Sequence, residues 1–134
     1  MDTNVVSELR KGARADTHVR KWFAAVQESS LFLSVLVVGE IRRGIERIRQ
    51  RDPLSARALD RWLARLERAY AGRVLPIDLA VATEWGKLDA AFGLPLVDGL
   101  LAATARVHDL VLVTRNTKDV ARTGVEILDP FRPA

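Results

Sequence analysis

The sequence has no cysteine, only two histidines, and no apolar run near the roughly 18 residues that a membrane span needs. Without cysteine, disulfides, thiolate metal sites, zinc fingers and cysteine nucleophiles are excluded together. Any metal ion must then sit on oxygen or histidine. His18 and His108 stand too far apart in sequence to form a local pair, and a helix end accounts for His108. The N-terminal Met-Asp-Thr-Asn has neither the basic start nor the apolar stretch of a secretory signal, so a soluble, cytoplasmic protein with no membrane association is expected. Against these absences stands an ordinary globular composition, 49% hydrophobic and 28% charged over 134 residues. That excludes wholesale disorder, collagen-like repeats and a coiled-coil rod, and it predicts one domain over residues 1–134.

Charge is unevenly placed. The net charge is +4, yet ten arginines fall between Ile41 and Arg73 against four acids, Glu46, Asp52, Asp60 and Glu67. Arginine's planar fork suits phosphate and carboxylate better than a lysine does. A solvated helical hairpin explains the same stretch equally well.

Periodicity separates short apolar strands from amphipathic helices. Val5 to Leu9 reads as a short helix, and Thr17 as the cap of a helix carrying Val19, Phe23 and Val26. Leu31 to Leu36 has strand character. From Val38 the period turns helical, Asp52-Pro53 breaks it, and Leu59, Trp62, Leu63, Leu66 and Tyr70 form a second long helix closed by Gly72. Val74 to Ile77 is a strand, Asp78 caps a helix running to Gly93, and Asp98 opens a helix over Gly99 to His108. Leu110 to Thr114 is the best buried strand, Arg115 to Asp119 a polar turn, and Val125 to Leu128 a last strand. The pattern predicts an α/β sandwich with a mainly parallel central sheet.

Such sheets present their sites beyond the carboxyl ends of the strands. Four acids fit that rule: Glu40 at a helix entry after a strand, Asp98 at a helix N-terminus, Asp119 after the polar turn, and Asp2 if a strand end precedes it. Taken singly, each has a structural explanation; Asp98 is a good N-cap and Glu40 favours the positive end of a helix. Taken together, carboxylates about 4 Å apart repel by roughly 4 kcal/mol at an effective dielectric near 20, so a shared pocket calls for a cation. Oxygen ligands without cysteine favour magnesium or manganese. Such an ion activates water and aligns a phosphate for displacement, which is nuclease chemistry.

Five segments then show a resemblance: Asp2-Thr-Asn-Val-Val-Ser-Glu-Leu, Val38-Gly-Glu-Ile-Arg-Arg-Gly-Ile, Leu96-Val-Asp-Gly-Leu-Leu-Ala-Ala-Thr-Ala, Leu112-Val-Thr-Arg-Asn-Thr-Lys-Asp-Val and Val125-Glu-Ile-Leu-Asp-Pro-Phe. In this order and at these intervals the chain resembles the PIN-domain ribonucleases, and among them the toxin half of VapBC-type toxin–antitoxin pairs. The resemblance implies a PIN-like three-layer α/β/α sandwich and a metal-dependent endoribonuclease. Asp2, Glu40, Asp98 and Asp119 would be its catalytic acids around one or two Mg2+ or Mn2+ ions. In that scheme Asp2 and Asp98 are the main ligands, Asp119 is a ligand often acting through water, and Glu40 is a ligand or orients the attacking water. Thr114 and Asn116 would support them by hydrogen bonds. It also implies a homodimer, a cognate VapB-like antitoxin joined in a heterotetramer or larger assembly, and an RNA substrate such as transfer RNA. The helices from Ile41 to Tyr70 resemble the surface such antitoxins grip.

Two departures stand out. The family carries three or four apolar residues before Asp-Thr-Asn as its first central strand, whereas only Met1 precedes Asp2 here. The first strand is therefore expected to be truncated: either the chain starts further upstream, or Asp2 sits beside a free amine that pairs with it and competes with metal. Val120 also replaces the usual aromatic after Asp119, a packing change. Ser7 and Ser34 have no base to activate them, and Trp22, Trp62 and Trp85 lie on apolar helical faces suited to core or dimer packing. An aspartyl-phosphate hydrolase would need an Asp two residues after Asp2, where Asn4 stands. The remaining alternative is a non-catalytic, arginine-rich module that binds RNA or a partner and uses its acids only as caps.

Overall fold

A computed structural model describes residues 1–133. Seven α-helices and four short strands follow in the order α1 (Thr3–Leu9), α2 (Thr17–Ala25), β1 (Leu33–Ser34), α3 (Val35–Arg49), α4 (Pro53–Ala69), β2 (Val74–Leu75), α5 (Leu79–Phe92), α6 (Leu96–Val107), β3 (Leu112–Val113), α7 (Thr117–Val120) and β4 (Ile127–Leu128). Strands β1 and β2 pair in parallel, as do β3 and β4. The expected central sheet is thus two parallel pairs, with the first two residues between them. The Met1 amine donates to the Phe32 carbonyl at 2.9 Å and the Asp2 amide to the Val113 carbonyl at 2.8 Å. An apolar groove of about 400 Å3, lined by Met1, Leu31, Leu33, Leu101, Leu112 and Val113, separates the two pairs.

Capping explains most differences from the sequence expectations. Ser34 ends β1 because its hydroxyl accepts from the Leu36 amide at 3.1 Å, so Val35 and Leu36 turn helical and α3 starts before Val38. Glu40 consequently lies inside α3 and not at its entry. Asp16, not Thr17, caps α2, accepting from the His18 and Val19 amides at 2.8 and 3.2 Å. Pro53 opens α4 at the first helical position, where a missing N–H costs nothing, under the Asp52 cap. Asp98 is not a cap: α6 begins at Leu96, and Asp98 sits in its first turn. The polar turn contains the short helix α7, with Asp119 in it.

The core joins residues from both ends of the chain, among them Val6, Leu33, Val37, Ile45, Leu63 and Val120, each no more than 2% exposed. Helices α3 and α4 form the expected hairpin, packed through Ile41, Ile45, Ala56 and Leu63. Its outside is tied by Asp60, which accepts from Arg42 and Arg49 at 2.7 Å, while Arg49 also reaches Glu46 at 2.9 Å. Those guanidiniums, Arg49 first, hold the Asp60 carboxyl down at about 2. Arg73 donates to the carbonyls of Glu28, Leu31 and Ala69. Three of the ten clustered arginines therefore serve the fold. Among the described residues no helix is long and apolar enough to cross a membrane.

Candidate active site

Asp2 stands where the chain passes between the two strand pairs, and its carboxylate caps α1. Its Oδ1 accepts from the Thr3 amide at 2.7 Å and its Oδ2 from the buried Thr114 hydroxyl at 2.7 Å. Thr114 directly follows β3, and its hydroxyl in turn accepts from the Asn116 amide at 3.0 Å. The Asn116 side chain then donates to Asp98 Oδ2 at 2.8 Å. One continuous chain of hydrogen bonds thus joins Asp2 to Asp98, across 96 positions of sequence. On the other side the Thr3 hydroxyl donates to Glu40 Oε1 at 2.6 Å. Thr3 joins the site through this bond, which spans 37 positions; its place next to Asp2 is the one signal of it in the sequence.

The charges at this site are poorly balanced. Burial pushes the Asp98 carboxyl up from its ordinary value, and the negative charges of Asp2, Asp119 and Glu40 push it further, while the Asn116 bond works in the opposite direction. Asp119, in α7, therefore acts on Asp98 along with the other two acids. Among the described residues the sole cationic side chain within ion-pair distance of any of the four is Arg43, at 3.8 Å from Glu40. The Met1 amine does not hydrogen-bond the Asp2 carboxylate as expected: it donates to the Phe32 carbonyl, because Met1 runs on toward β1. Burial lowers that amine to about 6, with Asp2 opposing.

The donors are carboxylate oxygens backed by hydroxyl and amide groups, the set that suits a hard divalent cation such as magnesium or manganese. Among the described residues no three acidic or histidine side chains are already gathered as an ion's cage. Thr3, Thr114 and Asn116 anchor Glu40, Asp2 and Asp98, and a cation would draw the carboxylates together while relieving the repulsion felt at Asp98. Ser34 serves as a helix cap, and Trp62 packs on the core with Arg10 over its ring at 5.8 Å. Trp85 also packs on the core, with its buried Nε1 unbonded among the described residues.

Residues 1–126 match the family described as PIN domain. The chain belongs to the PIN-domain family. This PIN domain is 34% identical to the VapC ribonuclease Y4jK of Sinorhizobium fredii, in an alignment covering all of this chain and 98% of that protein. It is 28% identical to Toxin FitB of Neisseria gonorrhoeae, over 98% of this chain and 96% of that protein. The crystal structure of FitAcB from Neisseria gonorrhoeae superimposes with a TM-score of 0.89 at 28% identity, covering 98% of this chain and 97% of that one. A toxin–antitoxin complex from Klebsiella pneumoniae gives 0.71 at 25% identity, covering 98% and 97%. The fold is accordingly the PIN-like α/β sandwich.

Proposed function

We propose that this PIN domain is a metal-dependent endoribonuclease and the toxin of a toxin–antitoxin pair. The observation that carries the reading is the hydrogen-bonded line from Asp2 through Thr114 and Asn116 to Asp98, with Glu40 held beside it and Asp119 acting on the same carboxyl. The relatives named as a VapC ribonuclease and a toxin support it.

In this reading Asp2, Glu40, Asp98 and Asp119 hold one or two Mg2+ or Mn2+ ions, with Asp2 and Asp98 as principal ligands. When bound, the ion lowers the pKa of water and neutralises charge on the scissile phosphate. The protein's own part is positional. Thr114 keeps the Asp2 Oδ2 lone pair aimed and leaves the rest of that carboxylate's capacity for a ligand. Asn116 does the same for Asp98 and Thr3 for Glu40. Glu40 keeps one oxygen free of a hydrogen bond among the described residues, placing it to orient water for attack.

The partner reading rests on a second groove, of about 500 Å3, between α1, α2 and α4. Its floor is Val6, Leu9, Phe23, Trp62 and Leu66, and Arg10, Arg20 and Arg65 line it too. Such a groove suits an apolar segment bearing acids, the chemistry expected of a VapB-like antitoxin tail. Leu79 and Leu96 are 83% and 60% exposed, and such apolar surface fits a homodimer contact. RNA, transfer RNA included, is the proposed substrate and the cytoplasm the proposed compartment. The non-catalytic arginine-rich alternative loses ground because Arg42, Arg49 and Arg73 are committed to intramolecular contacts.

RNA hydrolysis by the purified chain with manganese, stopped by chelator and restored by excess metal, is the test. Cleavage unchanged in excess chelator, or retained by Asp98→Ala, would overturn the proposal.

A further inference from the structure

An arginine beside four carboxylates is expected to fold onto them, and one here does not. Arg115 follows Thr114, the anchor of Asp2, and precedes Asn116, the anchor of Asp98, so its Cα is about 3.8 Å from that of each anchoring residue. Its backbone N–H points at Asn4 Oδ1, 3.4 Å away. Yet among the described residues its guanidinium forms no ion pair with any acid; it lies over the Phe131 ring, 4.5 Å from the centroid. Phe131 is itself fixed, its amide donating to Asp129 Oδ1 at 3.0 Å. Arg43, on the opposite side, is by contrast already turned toward Glu40.

We propose that Arg115, seated on Phe131, binds a phosphate of the RNA strand next to the one that is cut. The assignment rests on the nuclease reading. Stacking orients the planar fork while leaving its edge donors uncommitted, and two parallel N–H donors match two non-bridging phosphate oxygens. Held off the carboxylates, the side chain neither competes with a metal ion for them nor must be ordered when RNA arrives. Phe131 is then a positioning residue, and the pair adds a basic contact next to a group of acids that would otherwise repel the strand.

The test uses the full chain as Arg115→Ala, Arg115→Lys, Phe131→Leu and Phe131→Tyr, checked for unchanged melting temperature. Anisotropy of a fluorescent single-stranded RNA in EDTA across a salt series reads binding, and manganese-dependent cleavage reads KM and kcat. Arg115→Ala should weaken binding about tenfold, flatten the log K against log salt slope by about 0.7, and raise KM with kcat little changed. Phe131→Leu should reproduce part of that loss and Phe131→Tyr little of it, and Arg115→Lys should restore the salt slope but not the affinity. On a dinucleotide, whose one phosphate is the scissile one, wild type and Arg115→Ala should cleave alike. An unchanged slope and KM in Arg115→Ala, or an equal loss on the dinucleotide, would overturn the assignment while leaving the nuclease reading intact. Arginine-dependent binding without cleavage by the wild type would sink the nuclease reading and, with it, the assignment of the bound phosphate as the neighbour of a scissile one.

Discussion

Replacing Thr114 by valine removes one oxygen and keeps the shape of a side chain that is 1% exposed. The Asp2 carboxylate then loses its 2.7 Å donor, and what remains at that oxygen is the 3.5 Å contact from Asn4. A hydrogen bond to a charged group contributes about 1.5–3 kcal/mol. The Asn116 amide also loses its acceptor, but it lies near the surface and water replaces the bond cheaply. The expected cost is therefore about 2 kcal/mol, which in a domain of this size lowers the melting temperature by roughly 8 °C. Urea denaturation followed by circular dichroism measures it. Thr114→Ser retains the hydroxyl and loses one methyl, worth about 1 kcal/mol. In an Asp2→Asn background the valine change should cost less than about 1 kcal/mol, because the charge that made the bond strong is gone. Thr114→Val as stable as wild type, or equally costly with and without the Asp2 charge, would refute the reasoning.

Three other outcomes follow from the same geometry. In chelator, Asp98→Asn should melt at a higher temperature than wild type while cleaving no RNA, since the change removes a carboxyl that burial and three neighbouring acids disfavour in its charged form; an unchanged or lower melting temperature would contradict the crowding. Asp60, held at about 2 against an ordinary 3.8 by Arg49 and Arg42, contributes stability that is complete above pH 3.8 and lost as pH falls through about 2; Asp60→Asn should flatten the fall of melting temperature across that window, and an unaltered slope would count against the network. An engineered Val-Leu-Leu placed ahead of Met1 should seat in the groove between β1 and β3 and stabilise the fold by about 2 kcal/mol once ordering is subtracted, seen as a higher melting temperature, whereas Gly-Ser-Gly should not; equal effects of the two extensions would show that the groove does not take a strand.

Much of the architecture was legible from local signals. Asp52-Pro53 and Asp78 mark helix starts, and Gly93, at φ 60°, ends α5 as a left-handed cap must. Strand ends were less legible, because Leu31 to Leu36 reads as one apolar run and its single polar residue, Ser34, is the N-cap that turns the second half helical. The N-terminus follows from competition among partners: the Met1 amine had Asp2 nearby, but the path of the chain took it to the Phe32 carbonyl. The individual acids could be found by position after strands. Their convergence was not a local property; it depends on Thr114 and Asn116 bridging Asp2 and Asp98, which only the resemblance suggested. Thr3 shows the limit, since a hydroxyl meeting an acid 37 positions away leaves no periodic trace. Arg115 is equally silent, because what holds its guanidinium is Phe131, brought beside it only by the pairing of β3 with β4.

The central claim is that Asp2, Glu40, Asp98 and Asp119 form one divalent-cation site, and the most direct measurement of it is manganese binding followed by the paramagnetic resonance of the free ion. Wild type should deplete the free signal at substoichiometric metal, Thr114→Val should do so more weakly, and Asp98→Asn should leave the signal almost undiminished. Equal depletion by wild type and Asp98→Asn would mean that the ion, if bound, sits elsewhere and that these four acids do not act together.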